Sequence, residues 1–173
     1  MKSIITHKTN NFILKINNNT EFLIYLSLAF LVPFVIGGPQ LLVGSLVNCA
    51  IILAGINLNK TKMLPIILLP SVAVMARGLI FGPFTIFLLY LAPFIRIGNR
   101  LLANSMKLRY KKGMNIIIGI SAKVGFLFLV TVLLIKLNIL PDIFAKSMGL
   151  IQLYTAAIGA GLALVIQYLK KKI

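Results

Sequence analysis

The sequence predicts an all-α, polytopic integral membrane protein: a compact bundle of about six transmembrane helices, with the third and fourth helices broken. Three observations carry this reading. Of the 173 residues, 60% are hydrophobic, and the mean hydropathy of +1.02 lies outside the range of soluble globular domains. The apolar residues fall into runs separated by short polar or Gly/Pro segments, in a chain long enough for one such bundle and no sizeable soluble part. Eighteen Lys and Arg face only two acidic residues, for a net charge of +16, and they cluster between the apolar runs as the positive-inside rule requires. The chain divides into a polar N-terminal segment, 1–20, and a single transmembrane domain, 21–173.

Residues 1–20 are asparagine-rich and carry Lys2, Lys8 and Lys15. Phe12, Ile13, Leu14 and Ile16 fit either a short amphipathic turn on the membrane surface or an unstructured tail. Thr20 or Asn19 can cap a first helix from Glu21 to about Ile36, which Gly37-Gly38-Pro39 ends. At 1.5 Å per residue that span is roughly 24 Å, short for a bilayer crossing.

The second helix, about Gln40 to Ile56, pairs Gly44 with Asn48 and Ser45 with Cys49, four apart and on shared faces suited to close helix contact. Asn48 falls near mid-span, where its amide bonds a neighbouring helix or meets a ligand. After the polar loop Asn57–Lys62, a third helix from Met63 to about Ala76 is interrupted by Pro65 and Pro70. A fourth, from Ile80 to about Ser105, contains Pro93. Broken membrane helices persist where protein or a water-filled cavity satisfies the freed backbone groups, which points to an interior site.

Between these two helices Arg77, Gly78, Gly82 and Pro83 predict a tight reversal with Arg77 at its lip. An arginine at the bilayer centre costs about 2.5 to 3.5 kcal/mol, so Arg77 must lie at a helix end, face water or meet an anion. Arg96 and Arg100, one turn apart, lead into Lys107, Arg109, Lys111 and Lys112 and read as a snorkelling basic belt. The fifth helix, Met114 to about Leu137, carries Lys123 well inside it. The sixth follows Asn138–Lys146, contains the small-residue stretch Ala156–Ala163, and ends in Lys170, Lys171 and Lys172.

If all six segments cross, the N-terminal segment, the Lys60/Lys62 loop, the Lys107–Lys112 loop and the C-terminal lysines share one face. The asymmetry predicts a multi-pass plasma-membrane protein with both termini cytoplasmic and Arg77 outside. Glu21 and Asp142 both fall outside mid-membrane, which disfavours an ion-coupled carrier. Arg77 and Lys123 then reach lipid phosphate and backbone carbonyls, or an anionic ligand completes the site.

Other classes are disfavoured. The positive charge comes with no aromatic platform or reading motif for nucleic acid. Cys49 and His7 stand alone, so neither a disulfide framework nor a side-chain metal site is expected, and no cofactor is implied. Glu21, Asp142 and His7 form no catalytic constellation, so the chain reads as a non-enzyme.

The segments Val32–Asn48, with its Gly37-Gly38-Pro39 loop, and Ala76–Phe84 resemble the substrate-binding S components of energy-coupling-factor transporters, as does the whole architecture of six short helices with basic loops. The resemblance implies a subunit that captures a vitamin-like or other micronutrient from outside, bathed in membrane lipids. It would dock on a coupling subunit driven by two ATPases, and no GxxxxGK[ST] loop occurs in this chain. Ser27 and Ala29 are the only small residues in the body of helix one, whereas that family usually docks through a small-residue motif there. The family's outward-opening pocket, carried onto this chain, makes Gln40, Arg77, Gln152 and Tyr154 the candidate ligand-binding residues; Gln152 and Tyr154 also fit an interfacial anchor. The alternative is a non-catalytic accessory or assembly subunit packing through Ala156–Ala163.

Overall fold

The computed structural model describes residues 17–36, 38–81 and 85–172. His7, the expected surface turn at Phe12–Ile16, Gly37 and the Gly82-Pro83-Phe84 part of the reversal lie outside the described residues. Within them the chain is all-helical, with six helices and no strand.

Helix α1 spans Asn18–Ile36 and begins earlier than the sequence suggests. Asn17, rather than Asn19 or Thr20, is the cap, its side chain accepting from the Asn19 N–H at 3.4 Å. The added turn lengthens the helix to 19 residues, about 28 Å. Its last turn, Val32–Ile36, opens into π geometry. Helices α2 (Gln40–Asn57), α3 (Lys60–Phe81), α4 (Thr85–Ser105) and α5 (Lys112–Lys136) follow. Helix α6 runs Ile143–Lys172 with a π turn at Ser147–Ile151. Helices α1, α2, α5 and α6 are long and apolar enough to cross a membrane.

The expectation of broken third and fourth helices is corrected. Helix α3 continues through Pro65 and Pro70 for 22 residues, and α4 continues through Pro93 for 21. A helix-interior proline removes one backbone bond and pushes against the preceding turn. Side chains brace the backbone beside Pro70: Asn99 donates its Nδ2–H to Ile67 O at 3.3 Å, and Ser71 Oγ donates to Leu68 O at 2.8 Å. Pro93 lies on an exposed face. Because α3 extends to Phe81, Arg77 sits inside its final turns and not at the lip of a reversal.

Consecutive helices run antiparallel, and their polar ends gather as the charge pattern predicts. At one end Lys62 Nζ donates to Asn19 Oδ1 at 2.6 Å, and Lys107 Nζ donates to Leu58 O at 2.7 Å, satisfying an orphan carbonyl past α2. Lys170 pairs there with Glu21. In the same corner Asn57 donates to Tyr25 Oη at 2.8 Å and accepts from Gln167 at 2.8 Å. The opposite end joins the end of α1 to α3, and Gln40 to Ser147.

Helix α2 is the axis of the bundle, its Ala50–Ala54 stretch buried and packed among the surrounding helices. The two small-residue stripes read from the sequence meet each other. Thr155, Ala156, Gly159, Ala160 and Ala163 are buried, and a Cβ at Gly159 would stand 2.7 Å from Ser45 O. Such an approach is open only to glycine, and it brings the two helix backbones together. The Ala156–Ala163 stripe is thereby spent inside the chain. Leu129, Leu133, Val165 and many other apolar side chains instead cover the outside.

Candidate functional site

Beside that contact the helices part around a cavity of about 360 Å³ to which every helix contributes. Pro33 comes from the π turn of α1, and Ser147 and Met148 from the π turn of α6. A π turn inserts an extra residue and widens the helix locally, and such turns recur at functional sites. Valines 43, 47 and 74 and the side chains of Met75, Leu88, Ile95 and Phe144 make the walls predominantly apolar.

The polar groups lie at two levels. Gln40 and Ser147 stand at the rim, latched to each other: Gln40 Nε2 donates to Ser147 O at 3.4 Å, and Ser147 Oγ donates to Gln40 Oε1 at 3.2 Å. Eight residues further along α2, roughly 12 Å deeper, Asn48 meets Lys123. The Lys123 side chain is 3% exposed and donates to Asn48 Oδ1 at 2.5 Å and Asn99 Oδ1 at 2.8 Å. Asn48 donates in turn to Thr155 Oγ1 at 3.2 Å, and Thr155 donates to Gln152 O at 3.0 Å. Each asparagine thus presents its oxygen to the ammonium and spends its N–H on another helix. The lysine is held by α2 and α4, which these asparagines tie in turn to α6 and α3, and both its acceptors are neutral.

Gln152 also lines the cavity, and its Oε1 is buried without a hydrogen-bond partner among the described residues. One more cation stands close by: Arg96 donates from Nε to Ser71 Oγ at 2.8 Å, and Ser71 is part of the wall.

Of the four residues expected from the sequence, the structure brings Gln40 and Gln152 to the cavity. Arg77 supports the rim from behind. Its Nη1 donates to Phe34 O at 2.9 Å and Val35 O at 2.7 Å, carbonyls in the last turn of α1 that the helix itself leaves unpaired. Tyr154 is 58% exposed on the outer surface, away from the cavity lining. Lys123, Asn48 and Asn99 form the deepest polar cluster and were outside that set. The signal for two of them was present, since Asn48 and Lys123 each interrupt an apolar run. Asn99 was hidden within the basic cluster that begins at Arg96.

The arrangement offers a buried cation at the end of an apolar chamber and amide groups nearer its opening. Among the described residues no three His, Cys, Asp or Glu side chains gather closely enough to hold a metal ion. Comparison with protein-family models, curated proteins and solved structures found no match.

Proposed function

We propose that this chain is a multi-pass plasma-membrane protein that captures a small micronutrient for uptake, in the manner of the S components of energy-coupling-factor transporters. In this reading all six helices cross, both termini are cytoplasmic, and the Gln40/Ser147 rim faces outside. The energy for release comes from a coupling subunit and its two ATPases. The observation that carries the reading is the cavity of about 360 Å³ with Lys123, Asn48, Asn99 and Gln152 around it. Concave, mostly apolar chambers with a few convergent polar groups are the usual form of small-molecule sites, which span about 300 to 1,000 Å³. The Ala156–Ala163 stripe, which would have supported an assembly role, packs on α2 instead.

The test is ligand-dependent thermal stability of the purified protein in detergent, against a panel of water-soluble vitamins and small organic anions. A ligand present at a hundred times its Kd stabilises by about 2.7 kcal/mol, so a true substrate raises the apparent Tm by several degrees in a saturable way. If no compound does so, and mass spectrometry finds no small molecule released from the denatured protein, the capture reading is wrong.

A further inference from the structure

We infer that the ligand of this cavity is a monocarboxylic acid with a largely apolar body, bound with its carboxylate on Lys123 Nζ; the inference rests on the capture reading above. A lysine ammonium has three N–H groups. Two are directed at Asn48 Oδ1 and Asn99 Oδ1, and the third has no acceptor among the described residues, although Lys123 lines the cavity.

Charge points the same way. Among the described residues no carboxylate lines the cavity. Glu21 is engaged with Lys170 at the opposite end of the bundle, and Asp142 is exposed. A buried cation surrounded only by neutral oxygens is compensated best by an anion that reaches it, because desolvation of an unmatched charge is expensive.

The number of cations then selects the class of anion. Lys123 is the one positively charged side chain in the described lining, which balances one negative charge. A phosphate monoester brings close to two charges and three acceptor oxygens, more than one available N–H and one ammonium can satisfy in an apolar chamber. The walls between Lys123 and the rim supply apolar contact over roughly 12 Å of depth, room for a ring or a short chain. The unpartnered Gln152 Oε1 offers an acceptor for one hydrogen-bond donor on that body.

The test uses full-length protein in detergent at about pH 6, where carboxylic acids are ionised and an amine is protonated, with phenylacetic, phenylbutyric and phenylvaleric acids and the primary amide of each as probes. Each amide has the shape of its acid without the charge. The expected result is saturable binding of at least one acid, with a Kd about tenfold or more below that of its amide, and near-equal affinities for the two in Lys123→Gln. The comparison within the wild-type protein decides the matter even if that variant does not fold. Equal affinity of amide and acid, an acid preference that survives in Lys123→Gln, or no binding by any acid overturns the inference. A neutral or cationic compound stabilising the protein in the vitamin panel would leave capture standing while this assignment fails; no binding in either set ends both.

Discussion

Lys123 Nζ lies 2.5 Å from Asn48 Oδ1, joining α5 to the central helix through a charge-assisted hydrogen bond that is buried except where it lines the cavity. Asn48 is 1% exposed, so neither partner can turn to solvent if the other is removed. The same asparagine donates onward to Thr155. A single amide therefore ties together the floor of the cavity and the contact between α2 and α6.

Asn48→Ala removes an acceptor from the ammonium and a donor from Thr155. Hydrogen bonds to charged groups contribute about 1.5 to 3 kcal/mol, which for a chain of this size lowers the apparent Tm by roughly 3 to 12 °C. The loss should be smaller when Asn48→Ala is made in a Lys123→Met background, because the stranded charge is gone. A double-mutant cycle by thermal unfolding reads this coupling directly; strictly additive effects would mean that the two side chains do not interact in solution.

Much of the helix framework was legible because lysines, arginines, glycines and prolines punctuate the apolar runs at both ends of the bundle. The prolines of α3 misled for a definable reason. The cost of Pro65 or Pro70 depends on how neighbouring helices brace the backbone around it, and beside Pro70 one such brace, the bond to Ile67 O, comes from Asn99 on a different helix. The site was half legible for the same reason. Gln40 and Gln152 stand out as polar residues on the expected outer side, whereas the meeting of Lys123 with Asn99 depends on how α4 packs against α5, which no local spacing encodes. Arg77 drew attention as an isolated charge, but its acceptors, Phe34 O and Val35 O, are backbone atoms and carry no side-chain signature.

The packing of Gly159 makes a contrasting prediction for the small-residue stripe. A Cβ at this position meets Ser45 O at 2.7 Å and Cys49 N at 2.9 Å, backbone atoms that cannot turn aside. Gly159→Ala should force α2 and α6 apart and destabilise by about 1 to 3 kcal/mol. Gly161→Ala, where an added methyl meets nothing within 4 Å, should be neutral or slightly stabilising, since alanine is the better helix former. Equal Tm values for the two variants would show that the α2–α6 contact is looser than described.

Arg77→Gln separates a rim-supporting role from direct ligand contact. Without the guanidinium, the Phe34 and Val35 carbonyls lose their donors and the end of α1 is released from α3. Amide hydrogen exchange over Val32–Ile36 should then accelerate while the Ala50–Ala54 core remains protected. An Arg77 that acted on ligand instead would leave the exchange pattern unchanged and weaken binding alone.

The orientation of the bundle is open to a direct chemical measurement. Lys111 and Asp142 are both exposed and flank α5 at opposite ends, so one full crossing by α5 places them on opposite sides of the membrane. Single cysteines at each position, in a Cys49→Ser background, should react with a membrane-impermeant maleimide from opposite sides of sealed cells. Position 142 should label from outside and position 111 only after permeabilisation if the proposed orientation holds, in which the loop of Lys107, Arg109, Lys111 and Lys112 is cytoplasmic. Reaction of both from one side would exclude α5 as a crossing helix. The reversed pattern would instead turn the Gln40/Ser147 rim toward the cytoplasm, where a cavity that captures solute from outside could not be filled.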